Sequence, residues 1–311
     1  MFEQFGKKED LRDRTFMIVT LLCAWIPLAA AVGFLILLGG NSIEAFRTFG
    51  LRFIFSSQWD PVQQLYGALP AISGTLVTTV IAIGIAAPLG FITALFLTNA
   101  PPWLGQPLSQ ALDLLAAIPS IIYGMWGLFV LVPVMQDYVQ PFLADTLHLK
   151  SVPLFGNDYN GFGFLTAGLI LALMVLPYIC AVMRDVFRMT PAPLKEAAYG
   201  IGCTSWEVAS SIVLRYGIRG IFGAVFIGLG RALGETMAVL FVIGGTAGLP
   251  SSLFGSGTTI AATLANNFNE ADGLLRSVLF ALGLILMLLS LSVQAAAQLY
   301  LKNMDKKRGE K

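Results

Sequence analysis

Arg231 and Glu235 stand four residues apart inside the apolar stretch GLGRALGETMAV at 228–239. On an α-helix that spacing puts both charges on one face. A charge in the middle of an apolar segment is expensive, so it points into protein or a water-filled path. A guanidinium presents a rigid fork of donors that matches the oxygens of an oxyanion, and it cannot lose its charge by deprotonation. A carboxylate one turn away weakens such a site enough to let an anion leave, which conduction requires. Two readings stay open: the pair is closed at rest and opens when an anion competes for Arg231, or it is a permanent buried ion pair that only fixes packing. Gly230 and Gly234 form a G-x-x-x-G pair through which another helix can approach the same segment. In an earlier apolar stretch, Ser120 and Tyr123 offer hydroxyls to a passing anion. Pro119, Pro133, Gly124 and Gly127 weaken the helical ladder there, as hinges or path-lining points in a transporter or as plain kinks in a passive core.

The elements that must position these residues follow from composition. The 311 residues are 56% hydrophobic and 12% charged, with a mean hydropathy of +0.77. A soluble globule of this size cannot hide so much apolar surface. Six stretches, 16–38, 72–97, 114–135, 164–183, 221–243 and 278–299, are long enough to cross about 30 Å of hydrocarbon as helices, and lipid leaves no other partner for the backbone groups. The expected fold is an all-α integral membrane protein of six transmembrane helices. Lys and Arg place both termini in the cytoplasm. Fourteen fall in the N-terminal arm, in a hairpin after the fourth stretch and in the tail, against Arg47, Arg52, Lys150 and Arg276 on the other side. The connection 98–110 carries no positive charge, so its placement rests on the helix count alone. The first stretch continues to residue 38, too long for a leader core, and reads as an uncleaved span. A net charge of +1 argues against nucleic acid as a partner. Cys23, Cys180 and Cys203 have no disulfide or metal-site spacing. Segments 39–69, 136–163 and 246–273 read as outer loops, and the lone His148 among them is assigned no role.

The hairpin after the fourth stretch reads PLKEAAYGIGCTSWE at 193–207, followed by Ile212, Val213 and Leu214. Glu196-Ala197-Ala198, three residues, Gly202, nine residues and then Ile212 resemble the E-A-A-x3-G-x9-I-x-L-P signature of membrane subunits of binding-protein-dependent ABC importers. The alternative is an ordinary amphipathic surface helix. The resemblance implies a short coupling helix parallel to the membrane, whose alanines sink into a groove of a partner ATPase and whose Gly202 turns the chain back toward the bilayer. Arg215 stands where the signature has proline, which leaves the turn into the fifth helix less sharply fixed.

The stretch at 228–239, AAIPSIIYGMWGL at 116–128 and YICAVMRDV at 178–186 narrow the likeness further. They are similar to the phosphate-specific ABC importers, and within them to the PstC-type rather than the PstA-type permeases, over roughly four-fifths of the chain. The implied fold is a type I ABC importer permease bundle: an arm, first helix and outer loop at 1–71, a transmembrane domain at 72–301 with the coupling hairpin at about 190–216, and a charged tail at 302–311. The implied function is a membrane permease subunit of an ATP-driven importer of inorganic phosphate in the bacterial inner membrane. The implied partners are a PstA-type permease, two copies of a PstB-type ATPase and a PstS-type external phosphate-binding protein. No G-x-x-x-x-G-K-[ST] loop occurs, and the glycines around Gly230 have the wrong spacing and no preceding strand for a nucleotide fingerprint. The chain is therefore expected to be no enzyme and to hold no cofactor or metal, with ATP and Mg at the partner ATPase. Transport of another oxyanion (sulfate, molybdate or tungstate) and a membrane scaffold that mainly signals phosphate status stay open beside this reading.

Overall fold

The computed structural model describes residues 11–146, 152, 155, 159–249 and 252–309. His148 and Lys150, like Lys7, Lys8 and Lys311, lie outside them. The chain opens on α1 (Leu11–Asn41), then α2 (Ile43–Phe49), α3 (Arg52–Phe55) and a two-stranded hairpin, β1 (Trp59–Asp60) with β2 (Leu65–Tyr66). Next come α4 (Leu69–Asn99), α5 (Pro102–Ala117), α6 (Ser120–Trp126) and α7 (Val132–Val134), with π-helical turns at Gly127–Leu131, Met135–Val139 and Phe142–Thr146. The second half holds α8 (Phe164–Arg188), α9 (Ala192–Gly200), α10 (Ser205–Val208), a π-turn at Ala209–Val213, α11 (Leu214–Leu233), α12 (Met237–Leu240), α13 (Ile260–Asn267) and α14 (Gly273–Gly309).

Six helical runs among the described residues are long and apolar enough to span a bilayer: Asp13–Asn41, Leu69–Asn99, Ser120–Asp145, Phe164–Arg188, Ser205–Leu233 and Gly273–Met304. The chain is a multi-pass membrane protein. α8 is the axis of the bundle. Ile170, Leu171, Met174, Val175, Ile179 and Met183 are buried on it, and α4 and α11 pack along its flanks. α1 lies outside this core against α14, with Phe16, Trp25, Phe34 and Ile36 exposed as a lipid-facing helix requires. The last helix continues through the charged residues 302–309, which the sequence sets apart as a tail.

Other expectations from sequence change as well, among them the outer loop 246–273, which holds α13. Segment 39–69 is no plain loop: Phe46, Phe49 and Phe53 follow a helical spacing and bury against Tyr66, Val278 and Leu282 as a second, smaller core. Trp59 pairs with Tyr66 across the hairpin, and their rings meet edge to face at 5.2 Å. The third span starts at Ser120, because the sequence-predicted start, 114–117, belongs to α5. Proline disfavours a helical residue before it, and Ile118 is extended at φ −66°, ψ 128°. The fifth span ends at Leu233 and not at 243, since Gly234 at φ −92°, ψ 0° closes α11.

Candidate functional site

The two helix breaks lie together. Where α5 stops, its last carbonyls have no intrahelical donor, and two tyrosines supply one. The Tyr123 hydroxyl donates to the Leu115 carbonyl at 2.8 Å, and the Tyr178 hydroxyl of α8 donates to the Ala116 carbonyl at 2.7 Å. Tyr123 therefore spends its proton on the break and has none left for a passing anion, contrary to its sequence expectation. Ser120, half-buried at the start of α6, has no hydrogen-bond partner among the described residues. α12, just beyond the other break, packs against α6. A Cβ on Gly124 would lie 2.7 Å from Phe241 and 2.9 Å from the Met237 carbonyl, and one on Gly127 would lie 2.8 Å from Val242. Both glycines are close-packing points between α6, its following π-turn and the α12 region.

Arg231 sits in the last turn of α11, half-buried. Its guanidinium carbon lies 4.0 Å from the centroid of the Tyr178 ring, within reach of the attraction between a cation and an aromatic face. Its Nε is buried without a partner. Glu235 is not on the same helix, because α11 has ended. Its Oε1 accepts the Ala238 N–H at 3.2 Å and caps α12. The expected Arg231–Glu235 ion pair is absent among the described residues. What holds Arg231 is the Tyr178 ring, a role the sequence gives no sign of, since Tyr178 reads there only as part of a matching segment.

Gly230 and Gly234 also part ways. Gly230 faces α14, where a Cβ would come 2.9 Å from the Gln294 amide nitrogen. Gly234 is exposed and meets only its own helix end, so the expected G-x-x-x-G packing pair is a packing glycine followed by a helix stop.

The hairpin after α8 folds as the spacing suggests. Proline at the first turn of α9 fits a helix start, and Glu196, Ala197 and Ala198 lie on this nine-residue helix. Glu196 and Ala197 are exposed while Ala198 is buried. Gly202 adopts φ +92°, a left-handed conformation that glycine takes without the steric cost other residues pay. Its N–H donates to the Tyr199 carbonyl at 3.0 Å and the Cys203 N–H to the Ala198 carbonyl at 3.1 Å, the paired bonds of a Schellman stop. Thr204 and Glu207 then start α10 with a reciprocal capping box. From there the backbone is helical to Leu233 through one π-turn, so Arg215 lies within a continuing helix. The reversal is at Gly202, and no proline is needed for it. The Lys195 Nζ reaches the Phe187 carbonyl at 3.4 Å, tying α9 to the end of α8.

A second guanidinium, more deeply buried, escapes the sequence reading. Arg184 of α8 contacts the Ser109 hydroxyl, lies 3.6 Å from Asp113 of α5 and 3.7 Å from its neighbour Asp185. It pins α5 beside the hairpin end of α8. Counted among the positive charges of the hairpin, it looks like a surface residue, and only the fold reveals it at 9% exposure.

Six membrane-length helices among the described residues, two of them with an end beside a partly buried cation, and a short exposed helix between the fourth and fifth spans fit a membrane transport permease. The chain belongs to the binding-protein-dependent transport system inner membrane component family, whose model matches residues 86–306. It is 50% identical to the phosphate transport system permease protein PstC of Pasteurella multocida over 87% of this chain and 86% of that one. It is 47% identical to its namesake in Haemophilus influenzae over 97% and 96%, and 35% identical to a probable one in Methanocaldococcus jannaschii over 92% and 93%. Among solved structures, it is similar to a MetNI methionine ABC transporter chain in an inward-facing form, with TM-score 0.55 and 17% identity over 79% of this chain and 99% of that one. It also resembles a chain of a bacterial alginate ABC transporter, with TM-score 0.53 and 15% identity over 91% of each. The fold is that of a type I ABC importer permease.

Proposed function

We propose that this chain is the membrane permease subunit of an ATP-driven importer of inorganic phosphate, forming half of the translocation path. The observation that carries the reading is the near full-length likeness to permeases named for phosphate transport, 50% identical over 87% of the chain in one case. The geometry is consistent with it. A guanidinium parked on an aromatic ring is held by an attraction of only about 0.5–2 kcal/mol, so an anion can take it over without first breaking an ion pair. A phosphate passing the broken ends of α5 and α11 would meet Arg231 there, with Ser120 as a further donor and Glu235 as the residue that keeps the site from closing permanently on its cargo.

The remaining assignments belong to the same reading. Both termini and α9 face the cytoplasm, and the cap built from 43–66 faces outward. The other half of the path is a PstA-type permease. Two PstB-type ATPases dock on the coupling helices, one of them at Glu196, Ala197 and Ala198, and bind and hydrolyse ATP with Mg. A PstS-type protein delivers phosphate from outside. Residues 72–301 form the transporting domain. The test is purification of the intact membrane complex, identification of its subunits, and phosphate uptake by reconstituted vesicles in competition with sulfate, molybdate and tungstate. An ATPase, a sister permease and a phosphate-binding protein should co-purify, and phosphate alone should compete well. Stronger competition by another oxyanion would reassign the cargo.

A further inference from the structure

Below Arg231, an open groove of ≈ 370 Å³ runs between α11 and α14, lined by Ile227, Gly230, Arg231, Gln294, Gln298 and Leu301 among others. Gln294 and Gln298 are one turn apart in the membrane-length run Gly273–Met304. Both are exposed on the surface of the chain, and neither amide has a hydrogen-bond partner among the described residues. Hydrocarbon cannot satisfy a carboxamide, and polar side chains in a span face a partner, water or a solute. The juxtaposition with Arg231 selects among these. Gly230 has no side chain between them, so the Gln294 amide nitrogen lies against bare backbone, 2.9 Å from where a Cβ would be and next in sequence to the guanidinium.

We propose that Gln294 and Gln298 form a neutral relay for a tetrahedral oxyanion leaving Arg231 toward the C-terminal end of α14. The inference rests on the phosphate-importer reading above. Each amide group offers two N–H donors to phosphate oxygens and no net charge. A cation followed by neutral donors is an arrangement that binds and then lets go, as successive weak sites do in conducting pores. The step from one glutamine to the next is about one helical turn, 5.4 Å. Among the described residues nothing else uses these groups: they do not cap a helix, hydrogen-bond to α11 or join the Arg184 cluster.

The test uses the full assembly, permease pair, ATPase and binding protein, reconstituted into vesicles with ATP. Gln294→Glu and Gln298→Glu keep size and polarity but place a negative charge on the path. Gln294→Leu and Gln298→Leu remove the donors, and Gln294→Asn keeps them. Initial phosphate uptake should fall about tenfold or more in the Glu and Leu variants, a loss equivalent to one charge-assisted hydrogen bond. It should be partly retained in Gln294→Asn, with subunit composition unchanged throughout. Uptake at the wild-type rate in both Glu variants overturns the relay. So does loss of the sister permease from every variant, which would make these amides an inter-subunit contact. Failure of the unaltered assembly to accumulate phosphate would refute the importer reading instead, and the two failures are told apart by that one control.

Discussion

At the scale of single residues, Arg231 was legible because a charge inside an apolar stretch announces itself, whereas its partner was not. Spacing alone offered Glu235, since four residues on a continuous helix share a face. The helix stops at Leu233, and the ring of Tyr178, more than fifty positions away, takes the guanidinium instead. Tyr123 illustrates the same limit: a hydroxyl is visible in sequence, but the carbonyl that claims it depends on where α5 ends. Substituting Tyr178 separates its two roles. Tyr178→Phe keeps the aromatic face and loses one hydrogen bond worth about 1 kcal/mol of stability, so the KM for phosphate should stay near wild type. Tyr178→Leu removes the face, and with it a competing attraction of about 0.5–2 kcal/mol. Phosphate should then bind Arg231 more tightly and leave more slowly, lowering KM and maximal uptake rate together. Equal KM values for the two variants in vesicle uptake would show that the ring does not hold the guanidinium.

At the scale of elements, the spans were readable because some twenty apolar residues in a row have few alternatives, and the short helix before Gly202 was readable from its spacing. The interruptions were not. Proline and glycine are tolerated inside membrane helices when neighbours satisfy the freed groups, so Pro119 and Gly234 could have been kinks, and only the tyrosine hydroxyls and the α12 cap show that they are stops. Two substitutions probe these joints. Gly202→Ala forces a side chain into the left-handed region, a strain of about 1–2 kcal/mol, at the turn that aims the α9 surface. Less ATPase should co-purify with this variant, while the permease pair stays intact. Gly124→Ala drives a methyl into Phe241 and the Met237 carbonyl, and overpacking of this kind costs about 1–3 kcal/mol. The melting temperature of the detergent-solubilised complex should drop, and an unchanged melting curve would mean that α6 and α12 do not pack tightly.

At the scale of the molecule, α9, α8, α5 and the Arg231 site are joined by direct contacts. α9 is tied to the end of α8 through Lys195 and Phe187, Arg184 of α8 grips α5, and α8 carries Tyr178 beneath Arg231. An ATPase docked on α9, as proposed above, would therefore have a continuous packed route to the cation. Much of α1, α5 and α14 is exposed in the isolated chain, surface that lipid and a second permease would cover. The measurement that bears most directly on this picture is ATP-driven uptake of labelled phosphate by vesicles holding the complete assembly, compared with the same assembly carrying Arg231→Lys. Lysine keeps the charge but not the fork. The unaltered complex should concentrate phosphate only when ATP is supplied, and the Lys variant, with its subunits intact, should do so about tenfold more slowly or worse, the loss expected for a bidentate contact. Equal uptake by the two complexes would contradict the placing of Arg231 on the phosphate path.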